Sequence, residues 1–132
     1  MKIKNLHLIV SILVIIPIAL VYGFNPGGML ATMFYLKIDN VNLANILKAV
    51  MGLYLSVALF WLVAVFKPSL WVMATLVNIL FMAGLAVGRI ISLVADGIPS
   101  YPITIGLGGE IFLAAWGMIN LRIYRSEPGL RD

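Results

Sequence analysis

The stretch from Gly88 to Ser100 places Arg89 inside an apolar run of membrane length and Asp96 where that run ends. Glu110 lies inside the next apolar run, and Lys48 near the start of the one before. Ionisable side chains at membrane depth are costly, and they are kept where they face a partner charge, a wet cavity or a site. A guanidinium such as Arg89 can pair bidentately with a carboxylate or hold an anionic group, whereas a lysine offers a point charge. A carboxylate as deep as Glu110 needs a partner, water or a proton, and could serve as an acid or base. Ser92 falls near Arg89 and Asp96 by helical spacing, but no histidine accompanies it to make a nucleophile. The chain has one histidine, at its extreme N-terminus, and no cysteine, so neither a metal centre nor thiolate chemistry is expected. No phosphate-binding loop and no nucleophile–base pair is present. The residues thus point away from an enzyme: no catalytic residue and no cofactor is expected.

Spacing collects these groups on faces. Thr75, Asn78, Met82, Leu85, Arg89, Ser92 and Asp96 recur at alternating steps of three and four, which is one side of an α-helix. Lipid cannot satisfy such a stripe, so it is expected to turn inward. The fourth apolar run answers with Gly106, Glu110, Leu113 or Ala114, Gly117, and Asn120 or Leu121. The second offers Asn45, Lys48, Gly52 and Ser56, and the first adds His7 and Ser11. Depth decides which of them can meet. Arg89 falls about 9 Å below the outer end of its helix, Glu110 about 10–12 Å and Lys48 about 6–8 Å. The cluster Lys48, Arg89, Ser92, Asp96 and Glu110 therefore occupies one outer layer, as a ligand site or as an ion-pair lock, with Arg89–Glu110 the first-choice pair. Lys48 and Arg89 have stems long enough to snorkel outward instead. Gly52, Gly84, Gly88, Asn78 and Asn120 are the candidate helix-packing residues, since small residues let backbones approach and asparagines bond across helices.

The elements that must carry these faces follow from composition. The 132 residues are 63% hydrophobic and only 11% charged, too apolar for a soluble domain, where about a quarter are charged. About 20 residues cross the hydrocarbon core as a helix, and four runs qualify: about 6–22, 43–66, 70–95 and 103–124. We read a single all-α membrane domain over residues 1–132, an antiparallel bundle of four transmembrane helices. Asn25-Pro26-Gly27-Gly28, Lys67-Pro68-Ser69 and the segment from Asp96 to Pro102 break the runs. Asn25 before Pro26 reads as a helix cap, opening a short amphipathic segment at about 26–38 on the outer interface; a greasy loop or a lid is the alternative. Lys2, Lys4, Lys67, Arg122, Arg125 and Arg131 fall on one side of this layout and Lys37 on the other, which puts both termini in the cytoplasm. Trp61 and Trp71 flank Lys67 as an aromatic belt would, and Pro17 is placed to kink the first span. A signal peptide is the rival reading of that span, but no small-x-small cleavage site follows it. The basic C-terminal end lacks interleaved aromatics and suits lipid headgroups rather than nucleic acid.

Three pieces carry a family resemblance: Asn45 to Tyr54, with Lys48 and then Gly52-Leu53-Tyr54; Gly84 through Arg89 and Ser92 to Asp96-Gly97-Ile98-Pro99-Ser100; and Glu110. Together they resemble the uncharacterised bacterial membrane family known as domain of unknown function 4345, where an arginine is more usual at the position of Lys48. The resemblance implies a four-helix inner-membrane protein and brings no activity. In outline the chain is also similar to small four-helix proteins of the DoxX kind, at the level of fold alone. Three readings follow. The first is a charged, outward-facing pocket between helices, in which Arg89 and Lys48 meet an anionic group of a small polar or amphipathic ligand or a lipid headgroup. The second is a structural or accessory subunit whose charges lock helix packing, with a second copy or a membrane partner on the Gly84/Gly88 face. The third is a small transporter or an intramembrane enzyme using Glu110.

Overall fold

The computed structural model describes residues 3–125. Lys2 and Arg131, both used in the orientation argument, lie outside the described residues. After a single 3-10 turn at Ile3–Asn5, helix α1 runs from Leu6 to Gly23, α2 from Pro26 to Phe34, α3 from Val41 to Phe66, α4 from Trp71 to Ala95 and α5 from Tyr101 to Tyr124. With their adjoining 3-10 turns, α1, α3, α4 and α5 are long and apolar enough to cross a membrane.

The breaks have local causes. Asn25 caps α2: its Oδ1 accepts the Gly28 N–H at 3.2 Å, and Pro26 fills the first helical position, where no N–H is needed. This helix stops at Tyr35, whose left-handed φ of 58° ends it earlier than the expected residue 38. Asn40 caps α3 through the Asn42 N–H. Between α3 and α4 a 3-10 turn at Pro68–Leu70 reverses the chain within a few residues. The end of α4 is closed by the Asp96 N–H on the Ser92 carbonyl at 2.7 Å, followed by Gly97 at φ 99°, a conformation glycine adopts without strain. Pro17 sits inside α1, which continues through it.

Alanines and large aromatics fill the core together. Ala19, Ala58, Ala64 and Ala74 are buried and bring backbones close, while Trp61 and Trp71 are fully enclosed. The two tryptophans are therefore not a belt at the membrane surface. Trp71 donates its indole N–H to the Lys4 carbonyl at 3.3 Å, and Trp61 stacks edge-on against Phe81. The large side chains left outside, such as Leu13, Leu80 and Val94, are apolar and suited to lipid.

The helices associate as two close pairs, α1 with α3 and α4 with α5. Despite the tight turn that joins them, α3 and α4 touch much less, as do α1 and α5. Side-chain contacts gather the starts of α1 and α4 with the ends of α3 and α5; we call this the Lys4 end and its opposite the Asp96 end.

Candidate functional site

On α5 the buried residues are Glu110, Leu113, Ala114, Gly117 and Asn120, the small and polar face expected from the sequence. On α4 the stripe turns inward for half its length. Thr75, Asn78 and Met82 are buried, Leu85 and Arg89 are partly covered, and Ser92 and Asp96 are exposed.

Arg89 and Glu110 meet where α4 and α5 run side by side. The Arg89 Nε–H lies 2.8 Å from Oε1 and 2.9 Å from Oε2 of Glu110. The side chains are 22% and 10% exposed, so Glu110 is the more enclosed partner, and among the described residues Arg89 is its cation. The contact runs through Nε; Tyr22 is the second partner of the guanidinium, and Tyr54 stands within electrostatic reach of both charges. These tyrosines pack edge-on at 5.9 Å and bring α1 and α3 to the site. The sequence reading assigns neither tyrosine to the site; for Tyr54 the available signal is its place in the family motif, two residues after Gly52.

Arg89 forms part of the wall of two cavities. One, of about 280 Å³, reaches from α1 across to α4 and α5 and is lined by Val14, Ile18, Leu85 and Gly109, with Tyr54 and Glu110 beside Arg89. The other, of about 250 Å³, lies nearer the Asp96 end and is lined by Ser92, Pro99, Ile103 and Thr104. Ser92 donates to Asp96 at 2.8 Å and holds it at the mouth. The Ser100 hydroxyl, at the start of α5, is buried with no partner.

Lys48 does not join this group. It is exposed on α3 and makes no hydrogen bond or ion pair with Glu110 or Asp96. Asn45, Gly52 and Ser56 are exposed with it, so the polar face of α3 points outward rather than into the bundle. The physical reason is twofold. Tyr54, Ala58 and Trp61 supply a better-packing face, and Ser56 satisfies itself by donating to the Gly52 carbonyl at 2.8 Å. The expected packing role of Gly52, Gly84 and Gly88 within the chain is also not seen: a Cβ at any of them would meet nothing within 4 Å. Gly117 and Gly23 are the close approaches instead. A Cβ on Gly117 would stand 2.9 Å from Ile79, and one on Gly23 would collide with Met51.

The Lys4 end holds a second polar cluster, beside a cavity of about 600 Å³ lined by Lys4, Asn5, Leu62 and Trp71. His7 and Ser11, one turn apart on α1, face Thr75 and Asn78 on α4 and Asn120 on α5. The His7 Nε2 is 3.2 Å from the Thr75 hydroxyl, and its Nδ1 is 2.8 Å from Asn120 Nδ2 and 2.9 Å from the Lys4 carbonyl. Because the Lys4 carbonyl can only accept, a consistent assignment has Nδ1–H donating to it and the Thr75 hydroxyl donating to Nε2, with the Asn120 amide turned so that its oxygen faces Nδ1–H. Asn78 Nδ2 donates to Ser11 at 2.8 Å. Its Oδ1 lacks a conventional partner but faces Gly117, where the missing side chain leaves room for a weak C–H contact. The role of Asn78 and Asn120 in joining helices is thus visible in the geometry.

Four helices long and apolar enough to cross a membrane, two of them joined by the Arg89–Glu110 ion pair, mark the class as a small multi-pass membrane protein. The family model described as "Domain of unknown function (DUF4345)" matches residues 3–121. The chain belongs to that family. No curated protein and no solved structure matches it, and nothing in these comparisons extends to the DoxX outline.

Proposed function

We propose that this protein is a binding protein of the bacterial inner membrane, a single antiparallel four-span domain with both termini in the cytoplasm. Its site lies at the Asp96 end and takes a molecule whose polar head offers oxygen acceptors to Arg89. One observation carries this reading: Arg89 lines two cavities while Glu110 engages it through Nε alone. The terminal N–H groups, with Tyr22 beside them, can donate further to an oxygen-bearing head, in surroundings where an unmet donor is costly. The orientation rests on Lys4, Lys67, Arg122 and Arg125 at one end. At the other end Lys37 is already offset by Asp39 at 3.5 Å. In this orientation α2 lies at the outer surface beside the site, anchored by buried Pro26 and Leu30.

The test compares Arg89→Ala with the parent protein in zwitterionic lipid nanodiscs, using a photoreactive acyl lipid as probe. Loss of labelling around Arg89 in a variant that remains folded, with its helicity retained, supports a site. A structural lock is the second reading, favoured by the enclosure of Glu110. It predicts that Arg89→Ala and Glu110→Ala lose folding together and that the parent takes up no probe near Arg89.

A further inference from the structure

The charge of the chain is unevenly divided between its two ends. Lys37, Lys48 and Arg89 offset Asp39, Asp96 and Glu110, so the whole net charge of +4 falls to the segments at the Lys4 end. Among the described residues Lys4, Lys67, Arg122 and Arg125 stand there, and the described carboxylates all belong to the other half. Lys2, Glu127, Arg131 and Asp132, which complete the sum, lie outside the described residues. Lys67, Arg122 and Arg125 are exposed.

The same end holds the cavity of about 600 Å³, a size that takes small molecules. Three pieces of chain wall it: the start of α1, the last turn of α3 and the turn into α4. Asn5 Nδ2 donates to the Val65 carbonyl at 3.1 Å and ties the first piece to the second. The Trp71 indole N–H on the Lys4 carbonyl ties the third to the first. With those polar atoms engaged, Ile9, Leu62, Phe66 and Trp71 give the walls an apolar surface. Leu62 and Phe66 are 43% and 79% exposed, so their side of the cavity is open. Leu62 lies four residues from the end of α3 and Ile9 three from the start of α1, which confines the cavity to about the outermost 6 Å of the helices. With 26 residues α3 is about 39 Å long, about 9 Å more than the hydrocarbon core. That outermost layer therefore straddles the boundary between lipid chains and headgroups.

From this placement we infer that the cavity is a site for an acidic phospholipid: the glycerol and the top of one chain occupy it, and Lys67 meets the phosphate. Depth selects a lipid, because the cavity sits where chain joins glycerol and is walled for hydrocarbon. A small soluble anion gains nothing from such walls. Charge selects an acidic headgroup. Lys67 stands between Phe66 and Pro68, both of which line the cavity. Lys4 is in the wall itself, its Nζ 5.5 Å over the Trp71 ring. Tyr124 packs edge-on against Trp71 at 6.3 Å and brings the end of α5, with Arg125, to the same wall. A zwitterionic headgroup would carry its own cation into these basic surroundings, whereas an acidic one would not. The inference concerns the end opposite Arg89 and stands independently of the binding reading above.

The test uses the full chain in nanodiscs of mixed phosphatidylcholine and phosphatidylglycerol, with a photoreactive diazirine near the glycerol end of one chain in either lipid. Labelled positions are read by peptide mass spectrometry. The phosphatidylglycerol probe is expected to label residues 4–9 and 62–71 at least about five-fold more than the phosphatidylcholine probe, the factor that one basic residue supplies near a bilayer surface. Lys67→Gln is expected to remove most of that preference, and raised salt to weaken it. Lys37→Gln, at the other end, is expected to leave it unchanged. Leu62→Trp, at a position 43% exposed, narrows the open side and is expected to cut labelling of residues 4–9 at least about three-fold with helicity retained. Equal labelling by the two probes overturns the acidic-headgroup assignment. Labelling spread evenly over all four long helices, or indifferent to Leu62→Trp, overturns the cavity as the site. Crosslinks between two copies through residues 62–71, without lipid adducts there, assign the cavity to a second copy and overturn the inference as well.

Discussion

Removing Arg89 and removing Glu110 should not cost the same, and the difference follows from their stems and their enclosure. Two unit charges roughly 4 Å apart attract by about 4 kcal/mol at an effective dielectric near 20. Desolvation offsets much of this, but stripping one partner from a buried pair still costs about 3–5 kcal/mol, because the other charge is left uncompensated. In Arg89→Met the stranded group is Glu110, with a short side chain only 10% exposed and no second cation beside it among the described residues. It cannot reach the membrane surface, so the full cost of about 3–5 kcal/mol is expected. In Glu110→Leu the stranded group is Arg89, 22% exposed, with a long stem and about 9 Å to climb to the helix end. It can snorkel towards Asp96, and a cost of about 1–2 kcal/mol is expected. The double variant Arg89→Met/Glu110→Leu strands nothing and should lie within about 1 kcal/mol of the parent. The coupling energy is then about 3 kcal/mol or more, large for two residues in contact. Reversible unfolding in mixed micelles measures all four corners, with the enclosed Trp61 and Trp71 as fluorescence reporters. A coupling below about 0.5 kcal/mol, or a double variant as unstable as the sum of the singles, would refute the reasoning.

The same unfolding assay checks three further expectations. Gly117→Ala should cost about 1–3 kcal/mol, because its Cβ would crowd Ile79 and Asn78, whereas Gly84→Ala and Gly88→Ala should stay within about 0.5 kcal/mol; equal effects would mean α5 does not sit on Asn78. His7→Phe strands Thr75 and Asn120 together and should cost about 1–3 kcal/mol, more than Ser11→Ala, whose single bond to Asn78 is worth about 0.6–1.7 kcal/mol. Lys48→Gln should change stability by less than about 0.5 kcal/mol and leave probe labelling at Arg89 unchanged; a marked loss of either would return Lys48 to the site.

The sequence carried the helices and the ion pair for reasons that can be named. Long apolar runs broken by proline and glycine leave few alternatives for spans, and boundaries fell within two residues for α1, α3, α4 and α5. The cap at Asn25 was readable because a side-chain acceptor followed by proline is a local signal. The meeting of Arg89 with Glu110 was readable because helix rise converts residue number into depth. What failed was the rule that polar residues in a span turn inward. On α3 the polar set Asn45, Lys48, Gly52 and Ser56 lost to Tyr54, Ala58 and Trp61, because interhelical packing is a property of two surfaces and only one is visible in a single segment. A serine that bonds its own helix and a lysine near a helix start have no need of the interior. Trp61 and Trp71 misled in the converse way: their position beside Lys67 suggested an interface, but the space between helices at that end could hold two indoles.

The two polar clusters belong to one design. In a bilayer, lipid tails compete equally with helix surfaces for apolar contact, so helices stay together where they pack closely or share hydrogen bonds. The pairs α1/α3 and α4/α5 have close packing within themselves and little between them. At the Lys4 end the gap between pairs is closed by polar contacts, His7 to Thr75, Ser11 to Asn78 and Asn120 to His7, each linking α1 to α4 or α5. At the Asp96 end the Arg89–Glu110 bond stays within the α4/α5 pair, Tyr22 reaches the Arg89 guanidinium from α1, and a cavity lies beside them between that pair and α1. Both ends keep open space beside their polar groups, about 600 Å³ lined by Lys4, Ile9, Leu62 and Trp71 at one and about 280 Å³ lined by Arg89, Val14, Ile18 and Leu85 at the other, so the polar contacts rather than continuous apolar packing hold the two pairs in register.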